Sequence, residues 1–254
     1  MTKIIMNGCN GHMGQSISKI VSQTDGAEIV AGIDLTGESI NDYPVFTDID
    51  RCDIEADVII DFSSPKAADH LIDYCVRTGT PIVLCTTGLS DEQIARVTEA
   101  AAKVAVLRSA NMSLGINTLF TILKQAAGVL APAGYDMEIV EKHHNQKIDA
   151  PSGTALALAD VLKETAGDDY FYRYDRSQIR EKRDPKEIGI AAVRGGTIVG
   201  EHDVIFAGED EVITISHTAY SKAVFGKGAL EAAIFLAGKK SGLFNMQDVI
   251  AARI

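Results

Sequence analysis

The apolar run KIIMN (3–7) passes directly into glycines at 8, 11 and 14, and a helical pattern follows over residues 12–23. A strand that empties into a glycine-rich turn and a helix start restricts the chain more than any other feature. The same grammar then repeats. EIVAGI (28–33), VIIDF (58–62), PIVLC (81–85) and VAVLR (104–108) read as buried strands. Helical stretches at 65–77 and 91–102 separate the later ones. Pro65 suits a first helical turn, where its missing N–H costs nothing. Strands alternating with helices of this length predict an α/β domain with a parallel sheet covered on both faces.

Beyond residue 110 the pattern changes. Residues 114–130 place Ile116, Leu119, Phe120, Leu123, Ala127 and Leu130 on one helical face. YDMEIVEKHH reads as a strand running into a loop, and 152–165 as a helix. IVGEHDVIFAG and the strictly alternating EVITISH, joined by the turn-like GEDE, predict an antiparallel, open-faced sheet in a second domain of α+β character. A last helix at about 222–237 is expected to pack back on the first domain. The polar, weakly periodic stretch 167–187 is expected to be a mobile surface loop.

The formal charge of −11 over 254 residues opposes attraction to nucleic acid or anionic lipid. It also means that an anionic ligand needs a local cationic cluster. No apolar run approaches the ~18 residues of a membrane span, and the N-terminus reaches glycines too soon for a secretory signal. The four cysteines, Cys9, Cys52, Cys75 and Cys85, form no C-x-x-C pair. Neither a metal site nor a disulfide framework is indicated, and a reducing cytoplasm fits.

The glycines sit where a dinucleotide requires them. Gly8 permits the tight turn, Gly11 lets backbone approach a pyrophosphate, and Gly14 allows close helix–strand packing. The helix start supplies free N–H groups to phosphate. The second strand ends at Asp34, placed for ribose hydroxyls; Leu35, not a cation, follows it. A carboxylate there repels a 2′-phosphate, so NADH is expected over NADPH, or dual use at best. DFSSP (61–65), CTTGLS (85–90) and SANMSLGIN (109–117) follow three consecutive strands, and their small residues suit close approach to a nicotinamide ribose and carboxamide.

A second dense segment is EIVEKHHNQKIDAPSGTA (138–155). His143, His144 and Lys147 lie within five positions, just before a helix opening at Ser152-Gly153-Thr154. Histidine, with an ordinary pKa of ~6.5, is a usable proton donor at neutral pH. Lys147 supplies a fixed cation for a carboxylate, and the helix start offers N–H donors to a second anionic group. Glu141 and Asp149 are near, yet no metal-ligand spacing is present.

Taken together, GCNGHMG, DFSSP, CTTG, ANMSLGIN, EKHHNQKIDAPSGTA, RGGTIVGEHDVIF (194–206) and FGKGALEAA (225–233) resemble the 4-hydroxy-tetrahydrodipicolinate reductase (dihydrodipicolinate reductase) family over nearly the whole chain. The resemblance implies a Rossmann-like dinucleotide-binding domain, 1–113 completed by 221–254. It also implies a substrate-binding and tetramerisation domain, 114–220, and a homotetramer paired through the central sheets. The implied reaction delivers hydride from NAD(P)H to a small unsaturated cyclic dicarboxylate, in lysine and diaminopimelate synthesis. Matched by motif, His143 is the implied general acid and Lys147 the second proton donor, with His144, Gly153 and Thr154 on the substrate carboxylates. Implied cofactor contacts are Gly8, Cys9, Asn10, Gly11, His12, Met13 and Asp34. Cys85, Thr86, Thr87, Ser109, Ala110, Asn111 and Met112 complete that set.

The chain departs from the family pattern at Cys85, where glycine is common, at Met112, where an aromatic is usual, and at Ser221-Lys222, where an arginine is often found. Another two-domain oxidoreductase acting on a semialdehyde or imine is the alternative enzyme reading. A nucleotide-sensing protein without turnover is the alternative from a different class. No tyrosine is followed four positions later by lysine, which disfavours the short-chain dehydrogenases.

Overall fold

The computed structural model describes residues 1–253. The chain divides into two compact units, Met1–Leu114 with Ala223–Ile254, and Gly115–Lys222.

In the first unit the elements run β1 (Thr2–Asn7), α1 (His12–Val21), β2 (Ala27–Ile33), β3 (Val45–Phe46), β4 (Val58–Asp61), α2 (Pro65–Thr78), β5 (Ile82–Leu84), α3 (Asp91–Ala101) and β6 (Ala105–Leu107). Seven strands pair in the order β12-β6-β5-β4-β1-β2-β3, all parallel, β12 (Gly242–Phe244) being supplied by the C-terminal part of the chain. Side chains alternate across this sheet, and both faces are apolar. Ile4, Met6, Val58 and Ile60 join one core; Ile5, Ile59, Ile82 and Leu84 join the other. Burial on both sides is why these strands read as continuous apolar runs with no period of two.

The first core is closed by α1 and by the C-terminal helices α6 (Ala223–Leu236) and α7 (Met246–Ala251). The last long helix therefore packs on the N-terminal sheet, as expected. Neither β12 nor α7 was anticipated, since a three-residue strand and a six-residue helix carry too little pattern.

The second unit contains α4 (Leu114–Leu130), β7 (Asp136–His143), α5 (Gly153–Ala166), β8 (Phe171–Arg173), β9 (Glu187–Arg194), β10 (Gly200–Ala207) and β11 (Val212–Ala219). Its five strands lie in the order β11-β10-β7-β9-β8. β10 pairs antiparallel with β11 and β7, but β9 runs parallel to β7 and to β8. The two stretches expected to pair antiparallel, β10 and β11, do so. The parallel pairs of β9 make the sheet as a whole mixed, which corrects the expectation of a wholly antiparallel sheet. The crossover through α5 returns the chain from β7 to β8, and residues 174–186 return it again to β9, so both connections are the long crossovers that parallel strands need. Helices α4 and α5 cover one face through Leu119, Leu123, Leu158 and Leu162 against Met137, Ile139, Ile190 and Phe206.

The stretch 167–187 also differs from expectation. It contains β8, and two arginines pin it. Arg183 donates to Glu138, Asp136 and the carbonyls of Met137 and Glu187, while Arg176 grips the buried carboxylate of Glu187. Its polar composition is used for anchoring, which hydrophobic periodicity cannot register. Among the described residues no helix is long and apolar enough to cross a membrane.

Candidate functional site

Two sites emerge, one in each unit. In the first, β1 and β4 are neighbours from which successive strands depart in opposite directions, so their carboxyl ends flank a crevice. The buried Asp61 organises it. Its carboxylate accepts hydrogen bonds from Asn7 Nδ2 (2.7 Å), Ser63 Oγ (2.6 Å) and Thr86 Oγ1 (2.6 Å). The ends of β1, β4 and β5 are tied to one side chain.

Above this network is a cleft of about 640 Å³ whose lining includes Gly8, Gly11, Asp34, Leu35, Lys66 and His70. Gly8 has φ +79°, and a side chain there would meet the Phe62 carbonyl oxygen at 2.6 Å, so only bare backbone can line this turn. Gly11 caps α1 without a side-chain hydrogen bond, leaving first-turn N–H groups open. The Asp34 carboxylate is held by the backbone N–H of Asn10 (3.2 Å) and by Thr36 (3.2 Å from N, 3.1 Å from Oγ1).

Several side chains named from sequence turn inward instead. Cys9 and Met112 are core residues, and burial pushes the Cys9 thiol up to about 11, with Asp34 adding to it. Thr86 spends its hydroxyl on Asp61. Cys85 packs against the core below the cleft, and burial drives its thiol well above the ordinary range. At the buried Cys9, Thr86 and Met112 only backbone is left to meet a ligand, while Cys85 is half-buried. His12, Thr87 and Ala110 are exposed; Asn10, Met13, Ser109 and Asn111 are half-buried.

The second unit assembles the histidine segment. β7 carries Glu141 and His143 on the face that meets α5, because residues two apart in a strand share a face. The Glu141 carboxylate is completely buried. It accepts His143 Nδ1–H at 2.6 Å, two bonds from Arg194 at 2.7 Å each, and the N–H of Ser152 at 2.9 Å. Burial alone would raise this carboxyl; the bonds from Arg194, His143 and Ser152 outweigh it and hold the group below its usual range. Arg194 also donates to the Asp149 carbonyl at 2.7 Å, fastening the loop that carries Lys147.

His202 lies opposite Glu141 in the β7–β10 register and opposite His217 in β10–β11. Its ring meets that of His143 edge-on at 5.2 Å, and Nε2 is 3.3 Å from Ser152 Oγ. Burial, reinforced by the His143 charge, depresses His202 to about 4, so it is neutral at working pH. Gly200 faces His143, and a β-carbon there would lie 3.1 Å from His143 Nε2. Among the described residues that nitrogen has no hydrogen-bond partner.

Helix α5 starts beside these groups. Ser152 caps it by accepting from Ala155 N at 3.2 Å, while Gly153 is exposed and Thr154 half-buried. Lys147 Nζ is 2.8 Å from Asp149, whose carboxylate also takes the Gly153 N–H. That pairing holds Asp149 below its ordinary range, the Lys147 bond contributing most. A carboxylate therefore already occupies the cation and helix start that sequence reading reserved for an anionic ligand. His144 is half-buried at the turn whose carbonyl accepts Lys147 N.

Glu141, Arg194, His202 and Gly200 were not named as site residues from sequence. The signal was present only as strand alternation in EIVEKHH and VGEHD, and it needed the register between strands to become a constellation. The three-residue group Asp48, Asp50 and His70, which could present ligand atoms to a cation, lies at the rim of the first cleft. Arg77 already pairs with Asp50 there.

Two family models match the chain, described as dihydrodipicolinate reductase, N-terminus (residues 2–112) and C-terminus (residues 115–250). It is 50% identical over 253 residues to the 4-hydroxy-tetrahydrodipicolinate reductase of Clostridium novyi, covering all of both chains. Identity is 51% over 250 residues, 98% of each chain, to the enzyme of that name from Caldanaerobacter subterraneus. Among solved structures it is similar to a dipicolinate-bound dihydrodipicolinate reductase from Paenisporosarcina sp. TG-14. The TM-score is 0.82 at 25% identity, over 98% of this chain and 99% of that one.

Proposed function

Because the chain belongs to the dihydrodipicolinate reductase family, we propose that it reduces 4-hydroxy-tetrahydrodipicolinate, or the dihydrodipicolinate formed by its dehydration, to tetrahydrodipicolinate with NAD(P)H. The observation that carries this reading is the Glu141–His143 pair in the same unit as a cation, Lys147, and a helix start, that of α5, which Asp149 holds together. The unit Met1–Leu114 with Ala223–Ile254 is the dinucleotide-binding domain, and Gly115–Lys222 the substrate domain.

The first cleft fits a dinucleotide. Gly8 and Gly11 give close backbone, the first turn of α1 faces phosphate, and Asp34 takes ribose hydroxyls. A bound reduced nicotinamide supplies the hydride. Asn10, His12, Met13 and the backbone of Cys9 complete the first turn. Cys85, Thr86, Thr87 and Ser109 to Met112 bring the later strand-end loops to the cofactor. Asp34 with the exposed Leu35 disfavours a 2′-phosphate, while Lys66 from α2, in the same cleft, moderates that repulsion. NADH is preferred and NADPH is used less efficiently. A compartment that keeps all four cysteines free, the cytoplasm, suits the chain.

In the second unit His143 donates the proton that completes the reduction, through Nε2, because Nδ1 is committed to Glu141. Its charge, with that of Lys147, stabilises the negative charge that builds on the ring. Lys147 exchanges Asp149 for a substrate carboxylate and is the second proton donor. The N–H groups at Gly153 and Thr154, with His144, hold the carboxylates. The face of the five-stranded sheet away from α4 and α5 carries Val140 and Ile205, half-buried, the exposed Val193 and Val212, and Lys142 bridging Glu201 and Asp203. Pairing of these faces between copies builds a homotetramer.

The test is a coupled assay with synthase-generated substrate and each cofactor, on wild type, His143→Ala and Lys147→Ala. Substrate-dependent NADH oxidation is expected, with the higher kcat/KM for NADH. Each variant should lose at least ~10²-fold in kcat while binding NADH normally. No turnover by the wild type, or full turnover by both variants, overturns the reading.

A further inference from the structure

We infer that Glu141 is a positioning residue for His143, holding the imidazole with Nδ1–H engaged so that Nε2 is the nitrogen that faces the ligand. The inference rests on His143 being the proton donor proposed above.

A carboxylate with no solvent exposure is costly unless every lone pair has a partner. Arg194 and the Ser152 N–H would suffice if Glu141 only tied β9 and the start of α5 to β7. They leave unexplained the 2.6 Å bond to His143 Nδ1, the shortest of the four contacts. That bond has a chemical consequence. An ionised carboxylate can only accept, so the ring nitrogen facing it carries a proton in both ring states. The proton to be given away is then on Nε2, which Gly200 leaves room to approach. A carboxylate at Nδ1 therefore fixes which tautomer remains after transfer.

Arg194 has two effects. It aligns the carboxylate by a two-pronged bond, and its charge keeps Glu141 from holding the imidazolium so tightly that the proton cannot leave. The other groups facing His143 are few. His202 approaches from β10 and is neutral, with His217 beyond it on β11; Lys147 and Asp149 stand on the loop before α5. Within this set Glu141 is the only anion bonded to the ring.

The test compares wild type with Glu141→Gln, which keeps size and one acceptor but removes the charge. Two readouts are followed: kcat and KM across pH, and the side-chain ¹⁵N signals of His143 in protein free of cofactor and substrate. The substituted enzyme should lose about 10²-fold in kcat with little change in KM. The alkaline limb of its kcat profile, where the donor loses its proton, should move about one unit toward acid. The ¹⁵N signals should show the Nδ1–H form giving way. If an isolated glutamine beside Arg194 prevents folding, Glu141→Gln/Arg194→Gln removes both charges together and carries the same expectation. An unmoved alkaline limb and unchanged ¹⁵N signals in a folded variant, with His143→Ala inactive, overturn the positioning role and leave the donor reading intact. A fully active His143→Ala overturns the donor reading and this inference with it.

Discussion

At the scale of single residues, the second unit gives two neighbouring histidines opposite surroundings. His143 is bonded to a carboxylate, whereas the buried His202 has an orphaned Nδ1 and only a hydroxyl near Nε2. Because burial depresses His202 to about 4, the unfolded chain binds a proton at this position between about pH 6.5 and 4 that the folded chain does not. Its stabilising contribution is therefore complete above pH 6.5 and is lost as pH falls toward 4, by up to roughly 3 kcal/mol. Urea midpoints measured from pH 7 to 4.5 should fall in the wild type. The His202→Gln protein should show a shallower fall, and parallel slopes would contradict the assignment. Sequence reading saw the histidine pair at 143–144 but not His202, because one histidine in an alternating strand carries no mark of what lies opposite.

At the scale of elements, the first strand–turn–helix was readable from glycine spacing because its requirement is steric. A β-carbon on Gly14 would collide with the Gly8 carbonyl oxygen and lie 2.5 Å from that of Cys9. Gly14→Ala should push α1 off β1 and cost at least about 1–3 kcal/mol, as overpacking does. It should also weaken NADH binding. A thermal melt and a fluorescence titration check both, and an unshifted Tm would show that the turn yields freely. The parallel β7–β9 pairing was not readable. Strand partners are chosen by where α5 delivers the chain and by which faces bury, and β9 has no alternation beyond Ile190. Likewise the charge-rich stretch before β9 looked unstructured, although Arg176 and Arg183 bind carboxylates and carbonyls that are 4 to 47 residues away.

For the whole molecule, an acidic chain brings two cations to the region of one helix start, Lys147 paired with Asp149 and Arg194 with Glu141. The uncovered sheet face sets the expected assembly. Light scattering should give a mass four times that of one chain. Ile205→Lys, alone or with Val140→Lys, should reduce it while the circular dichroism of the units persists. A wild-type monomer at micromolar concentration would refute the pairing of these faces.

What the sequence by itself determined is local: the alternation of buried strands with helices, the glycines at the first turn, the acidic end of the second strand, and the HH-x-x-K-x-DAPSGTA block. Each is set by backbone sterics, by period, or by residues close in the chain. What only the tertiary structure decided is which distant groups meet. Asp61 gathering three strand ends, Lys66 entering the cleft of Asp34, and Arg194 clamping Glu141 against His143 all depend on strand order and register. The fold also sets protonation where a buried group depends on it. Burial depresses His202, while the bonds from Arg194, His143 and Ser152 hold Glu141 below its usual range against burial, since the energy of a charge depends on the water and partners left around it.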